Sequence, residues 1–237
     1  MGRYNFDKIV DRKHTKSLKY DFAVQRGKPA DVLPFWVADM DFEIPSELKQ
    51  VLLDRVNHGI FGYTESDDAY FNVLKEWFAS RFNWNIDKKW LVKTPGVVFA
   101  LAMAVRAFTE EGEGVLINQP VYYPFSMVID DNDRNLINVP LIQGADTYTI
   151  DFEGVERAIV EHNVTLFLLC NPHNPVGRVW TEDELKRLGD ICIKHNVIII
   201  SDEIHADFVW DGHKHTVFAN LGESYAEHCI VCTAPSK

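Results

Sequence analysis

A three-layer α/β/α fold, with helices on both faces of a mostly parallel sheet, is predicted by three features of this 237-residue chain. Four short apolar runs, GVLIN at 114–118, VTLFLLC at 164–170, VIIIS at 197–201 and CIVC at 229–232, are apolar throughout rather than alternating, as strands covered on both faces should be. Segments with helical spacing separate them, the α/β signature. Each run also hands over to a polar or aromatic stretch, and in open parallel sheets ligands bind beyond the carboxyl ends of the strands.

Residues 1–45 read as an irregular arm: a charged start, then KPADVLPFWVADMDF, with two prolines and no sustained period. Regular structure is expected from Ile44-Pro45-Ser46, where a proline near a helix start precedes ELKQVLLDRVNHG. Leu48, Val51, Leu52 and Val56 share one face of that helix and Gly59 stops it. A second helix over about 69–82 carries Phe71, Leu74, Trp77 and Phe78 at helical spacing, a stripe that reads as core. Lys93-Thr94-Pro95-Gly96 then turns into the apolar helix former VVFALAMAVRAF, which puts Gly96, Val97 and Val98 at a helix N-terminus, where open N–H groups and the helix dipole favour an anion. Thr181-Glu182-Asp183-Glu184 is a capping box that opens a helix to about His195, with Leu185, Leu188 and Ile191 turned inward. Strand, helix and strand then form a unit whose crossover should be right-handed. One large domain over 46–237 follows the arm.

Composition narrows the function. With 46% hydrophobic and 25% charged residues the chain has a soluble globular profile. A net charge of −11 and no Lys/Arg-rich run argue against nucleic acid as a partner. No apolar run reaches the roughly 20 residues that span a bilayer, and the start lacks the apolar core of a signal peptide, so no membrane role and a cytoplasmic location are expected. Cys170, Cys192, Cys229 and Cys232 lie in or beside apolar runs and read as reduced core thiols. The one C-x-x-C has no second pair to complete a zinc site, so no metal is expected.

The four run exits are QPVYYPF, NPHNPVG, DEIHADF and TAPSK. They deliver Tyr122, Asn174, Asp202, His205, Ser236 and Lys237 to what should be one edge of one sheet. Singly each has an ordinary explanation: a strand-end aspartate caps a turn, an Asn-Pro marks one, a terminal lysine is solvated. Their convergence is what points to a site.

At these residues the sequence resembles the fold-type I pyridoxal 5'-phosphate (PLP) enzymes, the aspartate aminotransferase superfamily. CNPHNPVG, SDEIH and APSK occur in that order and at suitable spacings, and the likeness covers the chain from about Leu33. The resemblance implies that Lys237 binds the cofactor covalently through its amine and later moves protons. It implies that Asp202 pairs with the pyridine nitrogen, that Asn174 and His205 face the phenolic oxygen, and that Tyr122 stacks on the ring. It further implies that Gly96, Val97 and Val98 donate amides to the phosphate, with Ser236 beside Lys237 in the cofactor site. The Gly62-Tyr63 pair resembles the segment that reaches the phosphate of a neighbouring subunit, which implies a homodimer. His205 in place of a frequent Tyr, Val176 in place of a frequent Thr, LPFWVADMDF at 33–42 and the APSK ending look like the cystathionine β-lyase or C-S lyase branch. That branch implies a small amino-acid substrate, a cysteine thioether, bordered by Trp36, Ala38 and Asp39. Family members continue past the lysine into a smaller C-terminal domain, so that domain is expected to be missing here. An aminotransferase and a non-enzymatic PLP-fold binding protein stay open as alternatives.

Overall fold

Five parallel strands form the centre of the larger of two units into which the chain divides: Asp67–Ser236 on one side, and the described residues up to Ser66 with Lys237 on the other. The structure, a computed structural model, describes residues 4–237.

In the smaller unit, two elements stand out: α1 (Leu18–Asp21) and α2 (Ser46–His58). Regular structure thus begins earlier than Ile44, with a single turn at α1 and a 3-10 turn over Val24–Arg26. Gly59 ends α2 at φ 75°, a left-handed conformation open to glycine at little cost. The α2 helix forms as expected, and the four residues on its apolar face, Leu48, Val51, Leu52 and Val56, are all exposed, Val51 by 64%. Helical periodicity identifies a face that wants cover; it does not say what covers it.

The arm is tied together by ions. Arg12 donates from Nη2 to Asp39 Oδ2 (2.6 Å) and from Nη1 to Asp41 Oδ1 (2.8 Å). Lys19, itself buried, donates to Asp41 Oδ2 and to the Asp39 carbonyl, both at 2.8 Å. Lys19 and Arg12 together hold the Asp41 carboxyl down to about 2. This clamp brackets Val37, a β-branched residue at φ 63°, a conformation that only surrounding contacts can maintain.

The larger unit runs α3 (Asp68–Phe82), α4 (Val97–Phe108), β1 (Gly114–Ile117), α5 (Pro124–Asp130), β2 (Asn135–Asn138), β3 (Ile142–Gln143), β4 (Tyr148–Thr149), α6 (Phe152–His162), β5 (Leu166–Cys170), α7 (Glu182–Lys194), β6 (Ile198–Asp202), α8 (Glu223–Glu227) and β7 (Cys229–Cys232). The main sheet has the order β2-β1-β5-β6-β7, every neighbouring pair parallel, while β3 and β4 form a separate hairpin. All four expected runs are strands. Successive side chains leave a strand on opposite faces. Val115, Ile117, Leu166 and Leu168 therefore pack with Val97, Leu101 and Val105 of α4 and Phe125 of α5. Leu116, Phe167 and Leu169 pack on the other face with Val155 and Ile159 of α6 and Leu185 and Leu188 of α7. These are the three layers. The capping box forms as expected: Thr181 Oγ1 accepts from Glu184 N (3.2 Å) and Glu184 Oε2 accepts from Thr181 N (2.8 Å).

Two expectations need correction. In α3 only Phe71 is buried and Trp77 is exposed, so the aromatic stripe is not wholly core. CIVC is not covered on both faces: in β7, the last strand of the sheet among the described residues, Ile230 is exposed. Strand β2, at the other edge, was not anticipated.

Gly189 marks a close approach between α7 and α8 in the larger unit. A Cβ there would lie 2.6 Å from Tyr225 Cδ1 and 3.1 Å from Phe218 Cζ, while the Tyr225 hydroxyl is anchored on Asp190 Oδ1 at 2.7 Å. Alanine in a helix normally gains up to about 1 kcal/mol over glycine. Here overpacking should reverse the sign, and Gly189→Ala is expected to lower stability by about 1–3 kcal/mol in urea unfolding.

Candidate functional site

The chain order explains where a ligand can sit. From β1 the chain moves outward to β2, then returns past β1 to β5 and continues through β6 to β7. The direction of winding thus reverses between β1 and β5, and at such a switch point the two exit loops diverge and open a crevice beyond the strand ends. Tyr122 lies in the β1 exit and Asn174 in the β5 exit.

Asp202 is the last residue of β6, in register between Cys170 of β5 and Cys232 of β7. It is 5% exposed, and its Oδ1 accepts from Ile204 N at 3.1 Å while its carbonyl accepts from Asn171 N at 2.9 Å. Its charge reaches the neighbouring groups. Burial first, then the Asp202 carboxylate, pushes the Cys170 thiol up to about 12, and the same two causes, joined by Glu203, do so for Cys232. Tyr122 is half-buried with its ring centroid 5.3 Å from that of exposed Tyr123, and its phenol is raised by burial, then by Tyr123 and Asp202. Thiols held this high remain protonated at neutral pH and are poor nucleophiles or metal ligands. Among the described residues no group of His, Cys, Asp and Glu could hold a metal, and no helix is long and apolar enough to cross a membrane.

Asn174 is half-buried, its amide N–H donating to Cys170 Sγ at 3.3 Å. His205 is half-buried and meets Phe208 edge-on at 6.5 Å. Ser236, past the end of β7, is exposed. Gly96 caps α4, with Val97 buried, Val98 exposed, and open space where a Gly96 Cβ would be. Because α4 packs against β5, β6 and β7, these amides belong to the same unit as the strand exits. One unit therefore contains Gly96, Val97, Val98, Tyr122, Asn174, Asp202, His205 and Ser236. Lys237, Trp36, Ala38, Asp39 and Tyr63 belong to the other; there Tyr63 and Lys237 are exposed and Trp36 is half-buried.

Three polar residues that motif reasoning passed over are among the most buried here. Asn171, His173 and Glu203 all adjoin residues that were singled out. For Asn171 the available signal was a polar residue placed directly after an unbroken apolar run; His173 and Glu203 lie two or three residues past such runs. The partner of Glu203, His215, lies 12 residues away in an unpatterned loop and gave no signal.

The donor set suits PLP. Helix-terminal amides answer a phosphate, a nearly dry carboxylate answers a ring nitrogen that carries a proton, an aromatic side chain answers the ring face, and a side-chain amide answers a phenolic oxygen.

The sequence profile of aminotransferase class I and II matches residues 30–237. The chain belongs to this family. Over 233 residues it is 44% identical to cystathionine beta-lyase PatB of Bacillus subtilis (strain 168), covering 98% of this chain and 60% of PatB. Cystalysin from Treponema denticola, solved with a pyridoxal 5'-phosphate cofactor, matches with a TM-score of 0.92 at 41% identity, over 98% of this chain and 60% of cystalysin. The PLP-bound C-S lyase from Staphylococcus hominis matches with a TM-score of 0.90 at 34% identity, over 100% of this chain and 60% of that one. The chain spans about 60% of the length of these family members.

Proposed function

We propose that this chain carries the PLP-binding part of a carbon–sulfur β-lyase that cleaves cystathionine or a related cysteine thioether to a thiol, pyruvate and ammonia. One observation supports this above the rest: Asp202, nearly dry and fixed between two strands, ends β6 in a chain 44% identical to a protein named cystathionine beta-lyase.

PLP, when bound, supplies an electron sink for negative charge developing at the substrate Cα. Asp202, ionised, pairs with the ring nitrogen and favours its protonated form. Asn174 and His205 hold the phenolic oxygen, Tyr122 covers the ring face, and the amides of Gly96, Val97 and Val98 hold the phosphate with Ser236 nearby. Lys237 would hold the cofactor through its amine and, once freed, would take the proton from the substrate Cα. With that proton removed, a Cα–Cβ double bond would form as the Cβ–S electron pair departs with the thiolate. The three-carbon enamine then hydrolyses to pyruvate and ammonia. Trp36, Ala38 and Asp39 border the substrate, and Tyr63 serves the phosphate of a second subunit in a homodimer.

The test is an assay of the full-length protein with cystathionine. Thiol and pyruvate released in equal amounts is the expected result. A keto acid without thiol would replace the lyase by an aminotransferase, and neither product would leave a binding protein.

A further inference from the structure

Directly after Asp202 sits a second carboxylate that no cofactor contact accounts for. Glu203 is buried, and so is its partner His215, each side chain 2% exposed. Glu203 Oε2 accepts from His215 Nε2 at 2.8 Å, and Oε1 accepts from Ser201 Oγ at 2.8 Å and Phe218 N at 2.9 Å. Asn171 Nδ2 lies 3.5 Å from Oε1 and donates to Thr216 O at 3.1 Å. Glu203 N donates to Cys232 O at 2.8 Å, and Asn171 N donates to Asp202 O at 2.9 Å. The Phe82 ring meets that of His215 edge-on at 5.6 Å.

Taking a carboxylate out of water is expensive, and an apolar residue of the same volume often serves packing as well or better. What an apolar residue cannot do here is join three segments through one side chain. Those segments are the β6 end at Ser201, the β5 exit at Asn171, and the loop at His215 and Phe218; the β7 end at Cys232 is held by the main chain of the same residue. All of them flank Asp202. With the carbonyl of residue 202 and the N–H of residue 203 both bonded, the Asp202 side chain rotates from a fixed backbone.

We propose that Glu203, gripped by His215, Ser201 and the Phe218 amide, is a positioning residue for Asp202, fixing the end of β6 so that the Asp202 carboxylate meets the ring nitrogen of PLP. This rests on the assignment of Asp202 under the proposed function. Glu203 acts only through Asp202 and touches neither cofactor nor substrate.

The experiment uses the full-length protein, with PLP affinity read by titrating the apo form and the visible absorption band of the bound cofactor followed across pH. Outer partners of metal ligands contribute about 10–100-fold to affinity or activity, and a comparable loss, about 10-fold, is expected for Glu203→Gln and for His215→Gln, together with a moved pH midpoint of the band. A merely structural role would lower the melting temperature and leave the band where it is. In an Asp202→Asn background Glu203→Gln should weaken PLP by no more than about 2-fold, because residues acting as one unit are not additive. Folded Glu203→Gln with wild-type affinity and band, or a full further 10-fold loss on top of Asp202→Asn, overturns the proposal. Should Glu203→Gln fail to fold, His215→Gln, which keeps the carboxylate, carries the same comparison. If Asp202→Asn alone changes neither readout, the cofactor assignment itself falls and this inference with it. If Asp202→Asn weakens PLP while the Glu203 and His215 variants do not, only the positioning role is lost.

Discussion

Lys237→Ala in the full-length protein is expected to abolish thioether cleavage for practical purposes, lowering pyruvate release about 10²–10⁴-fold. That range is what a positioned acid or base contributes. Alanine removes two capacities at once, covalent attachment of the cofactor and a mobile proton acceptor at the substrate Cα. Lys237→Arg separates chemistry from charge. A guanidinium keeps the positive charge but stays protonated and makes a poor nucleophile, so this variant should be as inactive as alanine. Substantial pyruvate release by Lys237→Arg would show that the amine itself does no chemistry, and the role given to Lys237 would have to move elsewhere. The visible band offers a second check, since neither variant can attach PLP covalently before substrate arrives.

How far the sequence alone revealed this molecule depended on which physical constraint wrote each segment. Strands β1, β5 and β6 lie between other strands and under helices on both faces, so they had to be apolar throughout and were legible. The fourth run, CIVC, was legible as a strand, but its edge position was not, because an edge is defined by what does not pair beside it. Strand β2 was missed because its outer residues, Asn135 and Asn138, are exposed and polar. Helix α7 announced itself through a local capping box, whereas α2 announced a face whose Leu48 and Val51 remain exposed. In the site, Asp202 was visible because it ends an apolar run. Glu203 stands next to it and was overlooked, since its meaning comes from His215 and Phe218, groups brought near by tertiary packing and not by spacing.

His173 gives the acid limit of the same loop. It is 3% exposed, immediately before Asn174, with Nε2 donating to the Pro120 carbonyl at 3.0 Å. Its ring stands edge-on to Trp180 at 5.4 Å, and Trp180 Nε1 donates to the Cys170 carbonyl at 3.0 Å. Burial lowers the imidazole from 6.5 to about 4, only partly offset by its backbone hydrogen bonds. Between those two values the unfolded chain binds a proton at this residue and the folded chain does not. Stability contributed by neutral His173 is therefore complete above about pH 6.5 and is lost as the pH falls toward 4, by about 3 kcal/mol at about 1.4 kcal/mol per pH unit. His173→Gln keeps an amide donor for Pro120 and removes the titration. Urea unfolding of wild type and variant in steps from pH 7 to pH 4 should show a shallower decline for the variant, the difference appearing only below about pH 6.5. Parallel curves would mean that the histidine takes up its proton without disturbing the β5 exit. A steeper wild-type curve would tie acid sensitivity to the loop that carries Asn174, and PLP affinity should then weaken over the same pH window.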